Sequence, residues 1–126
     1  MAVTLFYAGL LGLLLVVLTW RVIQARGAAG ASAGDGGDAT LARRIRGHSN
    51  LAEFGPMGLI LLALLEIGGL PVWALHLLGG TFVVGRLMHG IAFGFLDHSV
   101  TGRVGGTAVT LGAVILMSVA ALITAF

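Results

Sequence analysis

Charge is absent from Ala2 to Trp20 and again from Val104 to Phe126. Between these blocks, Phe54–Leu70 is interrupted only by Glu66 and Val72–Gly85 only by His76. A helix needs about 20 mostly apolar residues to cross roughly 30 Å of hydrocarbon. The pattern therefore predicts four spans in one domain, residues 1–126, at about 2–25, 41–68, 72–94 and 104–126. Pro71 behind Gly68-Gly69 reads as a tight turn joining the second span to the third. Gly27–Asp38 reads as a flexible loop, with Asp38 or Thr40 capping the helix that follows. The first span has no basic stretch before it and is followed by Arg21 and Arg26, so it reads as a retained helix and not a cleaved leader.

Composition removes the soluble alternatives. Hydrophobic residues make up 58% of the chain and charged residues 10%, against about 25% charged in an ordinary soluble domain. Twelve charged side chains cannot disperse the surface of a compact soluble fold of 126 residues. The fold class predicted is all-α, an integral membrane four-helix bundle running up-down-up-down. With no Cys, disulfides, thiolate metal sites and a cysteine nucleophile are excluded. The four His and five acidic residues are too scattered for ligand spacing, so no metal is expected. A net charge of +2 without a basic run interleaved with aromatics argues against nucleic acid.

The sparse charge is also one-sided. All seven basic residues are Arg. Arg21, Arg26, Arg43, Arg44 and Arg46 flank the first loop, and Arg86 and Arg103 flank the third. Hairpin order puts both loops at one membrane face, which the positive-inside rule makes cytoplasmic, with both termini outside. Arg without Lys, beside abundant Ala and Gly, suits a GC-rich bacterial genome and hence an inner membrane. Arg21 and Arg44 read as topogenic groups that pair with lipid phosphates.

The remaining Arg fall into patterns. Arg43, Arg46, Asn50 and Glu53 are spaced i, i+3, i+7 and i+10, one stripe of the second helix. Pro56 follows and removes a backbone bond to Ala52. Arg86, His89 and Phe93 share a face of the third helix, and Arg103 opens the fourth. Charges at the edge of lipid face the bundle interior or a polar cavity. The inventory suits a small zwitterionic ligand with excess carboxylate: Arg for carboxylates, Glu53 for an ammonium. Other polar residues have plainer readings. His48 and His76 are interfacial, Asp97 or His98 caps the fourth helix, and Glu66 snorkels or bonds across subunits. Gly90 and Gly94, with Met57, Met88 and Met117, serve packing.

The run from Arg43 to Pro56, Arg-Arg-Ile-Arg-Gly-His-Ser-Asn-Leu-Ala-Glu-Phe-Gly-Pro, resembles the signature of the MAPEG family, the membrane-associated proteins of eicosanoid and glutathione metabolism. The run Gly85-Arg-Leu-Met-His-Gly-Ile-Ala-Phe93 is similar to the third helix of its prostaglandin E synthase branch. The resemblance covers essentially the whole chain and implies a homotrimer that binds glutathione between subunits at the cytoplasmic side. Matched residue by residue, Arg46, Asn50, Glu53, Arg86 and His89 take glutathione-binding positions, and Arg26 a more weakly defined one. Arg43 and Phe93 stand beside them as candidates. Arg103 matches the arginine held to stabilise the glutathione thiolate. The family usually has Tyr where this chain has Phe54, Phe93 and Thr107. The function expected is a glutathione-dependent transferase or peroxidase acting on small lipophilic electrophiles or hydroperoxides; the alternative is a noncatalytic binding or structural trimer.

Overall fold

A computed structural model describes residues 1–97 and 99–125. It contains four helices: α1 (Ala2–Ala29), α2 (Ala39–Ile67), α3 (Val72–Gly94) and α4 (Val100–Thr124). Each is long and apolar enough to cross a membrane, as the charge gaps predict. The bundle is all-α among the described residues. The central helices are α2 and α3; α1 packs on both, α4 packs on both, and α1 and α4 do not meet.

Helix ends differ from the sequence reading for local reasons. At 28 residues α1 runs to Ala29, past the expected stop at residue 25. It closes where Gly30 takes a left-handed conformation (φ 64°), with the Gly30 amide donating to the Gly27 carbonyl and the Ala31 amide to that of Arg26, a termination that favours glycine. Asp38 caps α2, its carboxylate accepting from the Leu41 amide at 2.7 Å. The α2 helix runs unbroken through Pro56. The fourth helix begins at Val100, a turn earlier than residue 104, because Ser99 caps it by accepting from the Gly102 amide at 3.1 Å. Of the two caps expected for α4, Asp97 instead pairs with Arg43, and His98 lies outside the described residues.

The opposite end of the bundle holds a cap that crosses helices. Glu66, near the end of α2, accepts from the Val3 amide (3.1 Å), the Thr4 amide (2.9 Å) and the Thr4 hydroxyl (2.6 Å). The Met1 amino nitrogen lies 2.9 Å away. The first amides of a helix have no partner within it, and their dipole favours a negative charge. Glu66 satisfies both needs for α1 within one chain.

Close backbone approach joins α3 to α4. A Cβ on Gly106 would stand 2.6 Å from the His89 amide nitrogen and 2.9 Å from the Gly85 carbonyl oxygen. Gly94 instead makes room for a side chain, since a Cβ there would stand 2.9 Å from Leu18 Cδ2 of α1. Small residues that bring backbones together are a main source of helix association in lipid, where burying apolar surface gains little. Leu18, Leu62, Leu65, Leu75 and Met117 fill the interior, while Leu13, Ile60, Leu77, Ile115 and Leu122 point outward.

Candidate functional site

The ends of α2, α3 and α4 enclose an open groove of about 580 Å³. Its polar lining is Arg46 and Asn50 of α2, His89 of α3, and Arg103 and Thr107 of α4. Phe54, Phe93, Val104, Ala108 and Leu111 supply the apolar part. The volume falls in the range of ligand clefts, about 300–1,000 Å³. Two guanidinium groups and no carboxylate line it, so the groove is built for an anion.

A buried network stands behind the groove. Arg86 is 2% exposed and does not line the cavity. Its Nε and Nη2 donate to the Thr110 hydroxyl at 2.9 and 2.6 Å, and its Nη1 donates to the Asn50 side-chain oxygen. The Phe54 ring lies 5.1 Å from the guanidinium. Thr110 in turn donates to the Gly106 carbonyl at 2.7 Å. Arg86 thus ties α2 to α4 through neutral acceptors, with no carboxylate on it among the described residues. Because Arg86 occupies Oδ1 of Asn50, the Asn50 amide NH₂ is the group left to donate into the groove. Arg86 positions Asn50 and adds positive charge beneath the site.

One wall is an aromatic stack. His89 and Phe93 lie face to face, centroids 4.6 Å apart and planes 24° apart. The Arg103 guanidinium sits 5.2 Å from the centre of the Phe93 ring. Gly47 lets this wall close on α2, since a Cβ there would stand 2.6 Å from Phe93 Cβ. Thr107, the only hydroxyl in the lining, donates to the Arg103 carbonyl at 2.9 Å.

The structure therefore divides the residues singled out from the sequence. Arg46, Asn50, His89, Phe93 and Arg103 line one groove. Arg86 lies behind it. Glu53 faces an adjoining cavity with Arg46, Ser49 and Asp35, and its 3.5 Å contact with Arg46 joins two exposed side chains, worth little in water. The stripe splits because three residues of helix fall about 60° short of a turn, which carries Glu53 round from Asn50. Arg43 points away and pairs with Asp97 at 2.8 Å. Arg26 holds the α1–α2 loop, donating to the carbonyls of Gly34 (3.0 Å) and Ala31 (3.4 Å). Sequence reasoning missed Thr110 as part of the site. Its spacing of seven residues from Arg103 on one helical face was the available signal.

Known proteins resemble this chain along nearly its whole length. A model of the MAPEG family matches residues 4–123. The inner membrane protein YecN of Escherichia coli K12 is 34% identical over 118 residues, covering 94% of this chain and 88% of its own length. YecN of E. coli O6:H1 matches to the same extent. No solved structure matches.

Proposed function

The chain belongs to the MAPEG family, and from that premise we propose that it is a glutathione-dependent membrane transferase or peroxidase acting on lipophilic electrophiles or hydroperoxides. It is a multi-pass integral membrane protein, similar along nearly its whole length to a protein of the inner membrane. One observation carries the reading: Arg46, Asn50, His89 and Arg103, from three helices, converge on a single open groove at the arginine-rich end of the bundle.

The lining fits the tripeptide. Arg46 and the Asn50 amide offer donors to carboxylates, and Glu53, beside Arg46, offers a partner for the ammonium. Bound there, glutathione supplies a thiolate nucleophile. A free thiol has a pKa near 8.5 and is mostly protonated at neutral pH. A guanidinium that lowers this by about 2 units supplies about 2.7 kcal/mol, and Arg103 is the group at the groove that does so. Phe54 packs against the buried Arg86 guanidinium, and the Phe93 ring lies beside that of Arg103, which is open to the groove. Val104, Ala108 and Leu111 extend the groove along α4 as an apolar ramp for a substrate entering from lipid. The groove lies open at the helix surface, and a homotrimer in which a neighbouring copy closes it completes the proposal. The arginine-rich end faces the cytoplasm and both termini lie outside, by the positive-inside rule.

The second reading, a noncatalytic binding trimer, draws on the ring hydroxyls missing at Phe54 and Phe93 and on the prior engagement of Thr107. Conjugation of glutathione to chlorodinitrobenzene separates the two. The enzyme reading expects turnover by the wild type and, at pH 7, a loss of about 25-fold in Arg103→Ala, the fall in thiolate fraction when the pKa returns from about 6.5 to about 8.5. Wild-type turnover at background sinks it and leaves the binding trimer.

A further inference from the structure

Three arginines outside the groove converge on the connection between α3 and α4. Arg21 of α1 donates through Nε to the Gly94 carbonyl at 3.0 Å, and its guanidinium lies 4.7 Å from the centre of the Phe95 ring. Arg44 of α2 donates to the Arg21 backbone carbonyl at 3.2 Å. Arg43 pairs with Asp97, whose side chain is 81% exposed. Among the described residues, these three cations face two carboxylates: Asp97, paired with Arg43, and the α2 cap Asp38, which acts on Arg44 only at a distance. Carbonyls orient the guanidinium groups without neutralising them. An Arg has five N–H donors, and one from Arg44 and two from Arg21 are engaged.

Exposed apolar side chains adjoin this cationic cluster along the chain. Trp20 precedes Arg21 and is 58% exposed, and Phe95 and Leu96 of the connection are 50% and 46% exposed. Aromatic side chains at a helix end sit at headgroup depth. Basic pockets between transmembrane helices recruit acidic lipid headgroups. A soluble anion gains nothing from Trp20, Phe95 and Leu96, whereas a phospholipid lays its chains on them. A zwitterionic headgroup brings an ammonium into a region that is already net positive; an anionic one does not.

We propose that Arg21 and Arg44, backed by the Arg43–Asp97 pair, form a binding site for the phosphodiester of an anionic membrane phospholipid. The site takes the phosphate between the two guanidinium groups, with acyl chains against Trp20 and the Phe95–Leu96 pair. It is separate from the groove and does not depend on glutathione binding.

The thermal unfolding midpoint of the detergent-solubilised protein tests this, read with added short-chain phosphatidylglycerol, phosphatidylcholine or inorganic phosphate. A lipid that binds only the folded state raises the midpoint by mass action. Phosphatidylglycerol is expected to raise it by several degrees, and the other two to leave it nearly unchanged. Arg21→Gln/Arg44→Gln is expected to lose more than half of the shift, while Arg26→Gln/Arg46→Gln, of equal net charge, keeps it. Should the double variant not fold, Arg44→Gln alone is expected to lose at least half. An equal shift from phosphatidylcholine or inorganic phosphate overturns the proposal. So does a full shift in the Arg44 variants, or an equal loss in the Arg26/Arg46 control.

Discussion

Replacing Gly106 with Ala tests whether the α3–α4 contact holds the site together. The new Cβ would lie 2.6 Å from the His89 amide nitrogen, 2.9 Å from the Gly85 carbonyl oxygen and 3.0 Å from His89 Cβ. Ordinary contact begins near 3.5 Å, so the helices must part by about 0.9 Å or more. Two of the three atoms are backbone, and no rotamer change moves them aside. Overpacking a well-filled interior costs about 1–3 kcal/mol; with backbone on both sides, about 3 kcal/mol is expected. The same displacement strains the Arg86–Thr110 hydrogen bonds at 2.9 and 2.6 Å, one turn away. Gly112→Ala is the control, since nothing lies within 4 Å of its Cβ. There, the helix preference for Ala over Gly adds up to about 1 kcal/mol. Reversible unfolding in mixed micelles should show Gly106→Ala strongly destabilised and Gly112→Ala at or above the wild type. A Gly106→Ala protein as stable as the wild type refutes the close-contact argument.

Two further predictions concern opposite ends of the bundle. Glu66→Gln removes the charge from the acceptor of two α1 amides and the Thr4 hydroxyl, and should cost about 1–2 kcal/mol; calorimetric melting in detergent reads the loss, with affinity for glutathione unchanged. Phe93→Tyr returns a ring hydroxyl to the wall between His89 and Arg103; a hydrogen bond to a charged group is worth roughly 1.5–3 kcal/mol, so the glutathione dissociation constant should fall tenfold or more, and an unchanged constant counts against glutathione lying on that wall.

The spans were legible because lipid demands long uncharged runs, and only four fit in this chain. The interior was not. In a soluble helix the apolar stripe marks the core, but here Leu13 and Leu14 are both apolar while one faces out and the other in. What distinguishes the inner faces is small size, at Gly85, Gly94 and Gly106, and Gly is too frequent in this sequence, at 21 residues, for its positions to stand out. Among the site candidates, helical spacing put Arg46 and Asn50 on one stripe, His89 on a face of the next helix and Arg103 at the start of the last; only the family resemblance joined them, and the structure sets them around one groove. Spacing alone could not tell that Arg86 would be buried under Asn50, because that depends on Thr110 of another helix. Nor could it tell that Arg43 would turn to Asp97, a pairing 54 positions away along the chain. Glu66 looked anomalous as a charge inside a span; its partners are the unsatisfied amides of α1, which no side-chain pattern reveals.

Isothermal titration of glutathione into the detergent-solubilised protein tests the central claim most directly. The account predicts saturable binding at millimolar concentration or below, weakened at least tenfold in Asn50→Ala, which removes the amide that Arg86 aims into the groove, and unaffected in Glu66→Gln. Absence of any binding heat from the wild type at millimolar glutathione contradicts it.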